Sequence, residues 1–139
     1  MERRRFVMGG LIAIGGLALP RCGPANANLP SGPVAIGPPS QFAAGTWTLD
    51  GQYSLIVGHD SRGIFVYSAA CTHQGCLIDP PNSSGTSVCP CHGSVFDGSG
   101  AVVRGPARSA LVHFQASMQS GMIVVDPSVT VSADTRMPV

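Results

Sequence analysis

Cys71-Thr72-His73-Gln74-Gly75-Cys76 and Cys89-Pro90-Cys91-His92-Gly93-Ser94 bracket a polar turn segment, Asp79-Pro80-Pro81-Asn82-Ser83-Ser84-Gly85. Four of the five cysteines and two of the four histidines of this 139-residue chain fall inside that window. Packing alone does not crowd soft ligands at such short spacings, whereas a metal site needs them. Cys71 and His73 lie two residues apart, on the same side of a locally extended backbone. Cys89-x-x-His92 supplies a second sulfur and a second imidazole from a tight turn.

Two loops that each give one thiolate and one imidazole can hold a single zinc ion or a two-iron cluster. Two cysteines and two histidines are a familiar zinc set. Zinc fingers, however, place the cysteines together and the histidines together, and here the two types are mixed. Zinc would also leave Cys76 and Cys91 without a role.

The two blocks resemble the paired cluster-binding boxes of the Rieske iron–sulfur proteins, of the high-potential, disulfide-containing type found in cytochrome bc complexes and in the small subunit of arsenite oxidase. The resemblance spans roughly residues 45–126. It implies a [2Fe-2S] cluster with two cysteines on one iron and two histidines on the other. Carried over, Cys71 and Cys89 hold the inner iron, and His73 and His92 the outer one. Cys76 and Cys91 match the family's disulfide between the two loops. Ser94 matches the hydroxyl that donates to a bridging sulfide, and Gly105-Pro106 resembles the proline loop over the cluster's third side. High-potential members carry a tyrosine where this chain has Phe96, with its hydroxyl bonded to a ligand sulfur. Phe96 keeps the ring and lacks the donor, which implies a lower potential within the family range of roughly −150 to +300 mV.

The N-terminus reads as an address. Arg3-Arg4-Arg5-Phe6-Val7 resembles the twin-arginine export motif and precedes an apolar run from Val7 to Leu19. That run is shorter than the roughly 20 residues of a spanning helix. Ala25-Asn26-Ala27 then offers a cleavage motif. Residues 1–27 are therefore expected to be a twin-arginine signal or an N-terminal membrane anchor, 28–40 a Pro/Gly-rich linker, and 41–139 the cluster domain. Export to the periplasmic side of the cytoplasmic membrane also suits a disulfide. Cys22, the odd cysteine, precedes the cleavage motif, and Arg21 before it fits a lipidation box poorly.

The body reads as all-β. Val34–Ile36, Thr46–Leu49, Tyr53–Val57, Ile64–Ser68, Ala101–Val103, Leu111–Ser117 and Met122–Val125 are runs of strand formers, and Val129–Val131 adds an edge strand. Gly58–Gly63 is expected to be a hairpin loop carrying His59, Gln119–Gly121 a second hairpin, and the last residues frayed. No segment after the signal keeps a helical period. The expected fold is an antiparallel β protein with the two cluster loops at one tip. His59 and His113, outside both boxes, are assigned surface or structural roles, and Trp47, Phe42 and Phe65 packing roles.

The formal net charge is +1 and the chain has no lysine, so nothing suggests nucleic acid. The resemblance implies one-electron transfer with no catalysis by the chain alone. Its partners would be a cytochrome or a larger oxidoreductase subunit, with quinol as a further candidate, and it would meet the membrane only through an uncleaved N-terminus. The alternatives are the ferredoxin component of a Rieske-type oxygenase and a structural zinc module. Cys76, Cys91 and the arginine motif argue against the ferredoxin, and 139 residues leave no room for an oxygenase's mononuclear iron domain.

Overall fold

A computed structural model describes residues 27–139. The arginine motif, the apolar run, Cys22 and most of the cleavage motif lie outside the described residues.

The architecture follows from one central hairpin. Strands β3 (Leu55–Asp60) and β4 (Gly63–Ser68) are buried on both faces, so they read as continuous apolar runs rather than alternating ones. Period-two geometry then divides their side chains. Leu55, Val57, Ile64 and Val66 enter one core with Ile36, Phe42, Phe114, Ile123 and Val125. Ile56, Phe65 and Tyr67 enter the other, with Ala69, Cys71, Ile78, Cys89, Phe96, Ala107 and Leu111. The second core is the one to which both cysteine–histidine loops contribute, through Cys71, Cys76 and Cys89.

Around the hairpin lie β1 (Val34–Gly37), β2 (Thr46–Asp50), β8 (His113–Gln119) and β9 (Met122–Val131). They complete a six-stranded sheet in the order β1-β9-β8-β4-β3-β2, with neighbouring strands antiparallel. β5 (Thr86–Val88), β6 (Val95–Asp97) and β7 (Val102–Arg104) form a separate three-stranded sheet. A single 3-10 turn at Pro39–Gln41 is the only helical element among the described residues. The fold is thus antiparallel β, as the sequence implies.

Four local expectations need correction. Gly58, His59 and Asp60 belong to β3, and the hairpin loop shrinks to Ser61-Arg62. Gly58 reads as a turn residue, but it faces Phe65 across the ladder and a Cβ there would collide with the Phe65 ring. Tyr53 lies in a turn before β3 rather than in the strand. Val129–Val131 is the far end of β9, set off by an irregularity at which Gln115 pairs with Asp126 and Phe114 with Thr130. Pro127, which has no N–H to give a ladder, sits in that interruption.

The C-terminal residues are not frayed. Met137 exchanges both backbone hydrogen bonds with Ile64 (2.9 and 2.8 Å). Arg136 pairs with Asp60 at 2.7 Å and stacks its guanidinium 3.8 Å above the Phe65 ring. Burial alone would raise the Asp60 carboxyl, but bonds and charge from Arg136 and Arg62 hold it below its usual value.

The small sheet is tied to the large one by Trp47. Its Nε1–H donates to the Gly98 carbonyl at 2.8 Å, and a Cβ on Gly98 would stand 2.6 Å from the indole. His113 makes a second tie. It is 4% exposed, stacks 5.1 Å from Tyr67 and donates Nε2–H to the Ser99 carbonyl at 2.7 Å. Burial lowers its pKa, chiefly because a charged imidazole has no water there. His59 likewise has a structural bond, donating Nδ1–H to the Phe42 carbonyl at 2.7 Å.

Candidate metal centre

β4 runs through Ala69 into the first loop, and β5 leads directly into the second. The two loops share one backbone design. In the first, Cys71 N–H donates to the Cys76 carbonyl (2.9 Å) and Gly75 N–H to the Cys71 carbonyl (2.7 Å). In the second, Cys89 N–H donates to the Ser94 carbonyl (2.8 Å) and Gly93 N–H to the Cys89 carbonyl (3.0 Å). Each six-residue loop turns on a left-handed glycine, Gly75 at φ 77° and Gly93 at φ 76°. Glycine reaches that region without a Cβ penalty. An Ala70–Leu77 bridge closes the base of the first loop, and the β5–β6 pair closes the second.

This repetition brings the candidate ligands together. Cys71 and Cys89 are both buried, both free thiols, and within hydrogen-bonding reach of each other. The His73 and His92 rings stand edge to face with centroids 4.8 Å apart. His73 is half-buried and His92 exposed, so the imidazole side faces outward and the sulfur side inward. Cys76 and Cys91 form a disulfide across the loops, with Cα atoms 6.5 Å apart. Their sulfurs and that of Cys89 lie within 4.8 Å of one another, but disulfide sulfurs are not thiolate ligands.

The donor set fits a metal group. Burial pushes the Cys71 thiol up; the neighbouring Cys89 adds to this, while the His73 backbone and Ser94 hydroxyl partly oppose it. A metal cation beside the buried Cys71 thiol would favour its thiolate. The Nδ1 atom of His73 is buried without a hydrogen-bond partner, an orphaned acceptor that a metal ion would satisfy.

A third segment, 105–109, closes over the same place. Gly105 and Pro106 are themselves exposed, joined by a cis peptide, and Pro106 lines the cleft beside His73. The residue that reaches inward is Ala107, 4% exposed, whose N–H donates to Ser94 Oγ at 2.9 Å. Thr72 Oγ1 donates to the Ser109 carbonyl at 2.6 Å, fastening the segment to the first loop. The sequence gives no sign of either bond, because an alanine amide and a carbonyl carry no motif. Ser94 therefore holds the covering segment and faces the Cys71 sulfur at once. Phe96 is fully buried in the core cluster that also contains Cys71 and Cys89, and its ring carries no hydroxyl.

Antiparallel sheets carrying two cysteine–histidine loops stapled by a disulfide define an iron–sulfur protein of the Rieske class. Residues 32–120 match the Rieske [2Fe-2S] domain family, and the chain belongs to it. Its cofactor is accordingly a Rieske [2Fe-2S] cluster, and it is an electron carrier. Over 76 residues it is 37% identical to the cytochrome b6-f complex iron-sulfur subunit of Synechococcus sp. (strain CC9605), covering 55% of this chain and 43% of that one. The chain thus spans less than half the length of this curated relative. The plasma membrane Rieske protein PetC3 from Synechocystis PCC 6803 superposes with a TM-score of 0.50 at 26% identity, over 66% of this chain and 97% of that one. The ferredoxin of carbazole 1,9a-dioxygenase from Nocardioides aromaticivorans IC177 aligns at 0.49 and 23% identity, over 70% and 99%.

Proposed function

We propose that this chain is the exported, cluster-bearing head of a membrane quinol–cytochrome oxidoreductase, or a free periplasmic carrier of the same type. Cys71 and Cys89 are the thiolate ligands of the inner iron, and His73 and His92 the imidazole ligands of the outer iron. The observation that carries this is the orphaned, buried Nδ1 of His73 beside His92, across from two buried free thiols. The cluster, when bound, accepts and returns one electron. Ser94 and the buried Cys71–Cys89 pair keep water from the sulfur side. The outward imidazoles of His73 and His92 present ring nitrogens to a partner or a quinol and are the natural place for a proton to move with the electron.

Membership of an oxidoreductase complex is favoured by the likeness to a b6-f iron-sulfur subunit. The disulfide favours an oxidising compartment over a cytoplasmic ferredoxin role. No described helix is long and apolar enough to cross a membrane. A membrane link, if present, would come from residues 1–27; of the expected 28–40 linker, β1 (Val34–Gly37) is paired into the large sheet, which leaves residues 28–33 ahead of it.

Iron and sulfide analysis, with a reduced-state paramagnetic resonance spectrum, tests the ligand set. Two irons per chain and a rhombic signal are expected, lost in His73→Ala and Cys89→Ala. Stoichiometric zinc, or iron retained in both variants, overturns it. Cell fractionation and sequencing of the mature N-terminus test export, and recovery only in the cytoplasm would refute it.

A further inference from the structure

We infer that the imidazole tip is a docking face for an acidic redox protein, held by carboxylates that meet Arg104 and Arg108. This rests on the proposed electron exchange at His73 and His92. The three segments facing the site, 71–76, 89–94 and 104–109, contain these two arginines and no carboxylate. Both arginines are exposed. Among the described residues, the ion pairs of the fold engage only Arg62 and Arg136, both with Asp60.

Nor do the nearest acids in sequence neutralise the tip. Asp97 is turned into its own loop, where Oδ1 accepts from Ser99 N–H (2.8 Å), Ser99 Oγ (2.7 Å) and Ala101 N–H (3.0 Å). Asp79 lies beyond the Ala70–Leu77 bridge that closes the first loop.

The two cations are placed differently. Arg104 donates from Nη2 to the Gly93 carbonyl at 3.3 Å, which sets it against the second loop beside His92. Arg108 lines a cleft of about 430 Å³ with Thr72, His73, Pro106, Ala107 and Ser109. A partner carboxylate entering that cleft would meet a guanidinium next to the His73 imidazole. Exposed apolar residues adjoin them in sequence: Val103, 61% exposed, precedes Arg104; Val88, 48% exposed, and Pro90 flank Cys89; and Pro106 lines the cleft with Arg108. Two guanidiniums beside exposed apolar residues are complementary to an apolar patch rimmed by carboxylates.

The charge arithmetic gives the face a direction. Two ferric ions, two sulfides and two thiolates sum to zero, and reduction adds one negative charge. An acidic partner therefore binds the oxidised head more tightly than the reduced one. Linkage makes the converse true as well, so binding favours the oxidised state.

The test uses the holoprotein and probes of opposite charge. Stopped-flow oxidation of the reduced head by hexacyanoferrate(III), which becomes hexacyanoferrate(II), is compared with oxidation by the tris(phenanthroline)cobalt(III) cation. With a trianion about 10 Å from each guanidinium, Arg104→Gln or Arg108→Gln should slow the anionic reaction about fivefold at 0.01 M ionic strength and about twofold at 0.1 M. The cationic reaction should speed up correspondingly. In calorimetry the oxidised head should bind an acidic c-type cytochrome, more weakly after the double substitution, and leave a basic one unbound.

Rates and affinities that ignore both arginines, in variants with the wild-type spectrum, overturn the docking face alone. Arginine-dependent sedimentation with phosphatidylglycerol vesicles, without cytochrome binding, also overturns it by assigning the patch to lipid. A wild type that holds no iron refutes the proposed function and takes this inference with it.

Discussion

Phe96→Tyr adds one oxygen at a position with no exposure at all, and the outcome depends on what that oxygen meets. Phe96 lies on β6 between Ser87 of β5 and Val102 of β7, packed in the core that contains Cys71 and Cys89. If the ring edge faces a ligand sulfur, the new O–H finds a strong acceptor. Hydrogen bonds to charged groups contribute about 1.5–3 kcal/mol, and the extra electron strengthens such a bond by a fraction of that. Taking about 1 kcal/mol as the difference between oxidation states, and 59 mV per factor of ten for one electron, the potential should rise by about 45 mV. If no acceptor is present, the buried hydroxyl costs about 1–3 kcal/mol of stability instead. Two measurements separate these cases: an optically monitored redox titration and a thermal melt of the oxidised holoprotein. The expected result is an upward shift with an unchanged melting midpoint. An unshifted potential with a midpoint lowered by several degrees would show that the Phe96 edge does not face sulfur, and the reasoning would be refuted.

Three further outcomes follow from the same contacts. Ser94→Ala should lower the potential and also free the Ala107 amide, so hydrogen exchange at Ala107 should accelerate; a lower potential with unchanged exchange would separate the two roles of Ser94. Cys76→Ser with Cys91→Ser opens a bridge between residues 15 apart, which should cost about 3 kcal/mol in denaturant melts, and equal midpoints would contradict this. For His113, burial depresses the folded pKa, so below the ordinary imidazole value near 6.5 the unfolded chain binds more protons than the native one. Its stability contribution is therefore complete above about pH 6.5 and falls as the pH drops toward the depressed value, by at most about 1.4 kcal/mol per pH unit. Comparing acid melts of the wild type and His113→Gln checks this, and identical slopes between pH 6.5 and 5 would refute it.

The large sheet was legible wherever burial wrote itself into residue type. Leu55–Val57 and Ile64–Tyr67 are apolar without interruption because both faces of that hairpin are covered. Legibility failed where a neighbour decided the local structure. Gly58 carries the signature of a turn, and only the Phe65 ring lying over it makes it a strand residue. β5 and β6 are three residues each, too short for any periodicity to register, and the second loop between them brings them together. Arg136 sits in a polar tail, and its anchoring by Asp60 and Phe65 depends on partners more than 70 positions away.

The site divides along the same line. The candidate ligands are visible in the spacing and the family resemblance, since side-chain chemistry is a property of residues, but how the two boxes are held comes from backbone that the motif does not display. Both loops close with the same pair of hydrogen bonds and the same left-handed glycine, so equivalent positions stand at equivalent places. The first position of each is a buried free cysteine. The loops differ at the second, third, fourth and sixth positions, and the sixth is Cys76 in one loop and Ser94 in the other. Cys76 can reach across only because Cys91 occupies the third place of the second loop, which moves that loop's histidine to the fourth. The two imidazoles therefore stand at non-equivalent places of their loops. His73, at the third place, is half-buried under the 105–109 segment, and His92, at the fourth, is exposed. A partner approaching the tip therefore meets His92 directly and His73 only through the cleft that Arg108 lines.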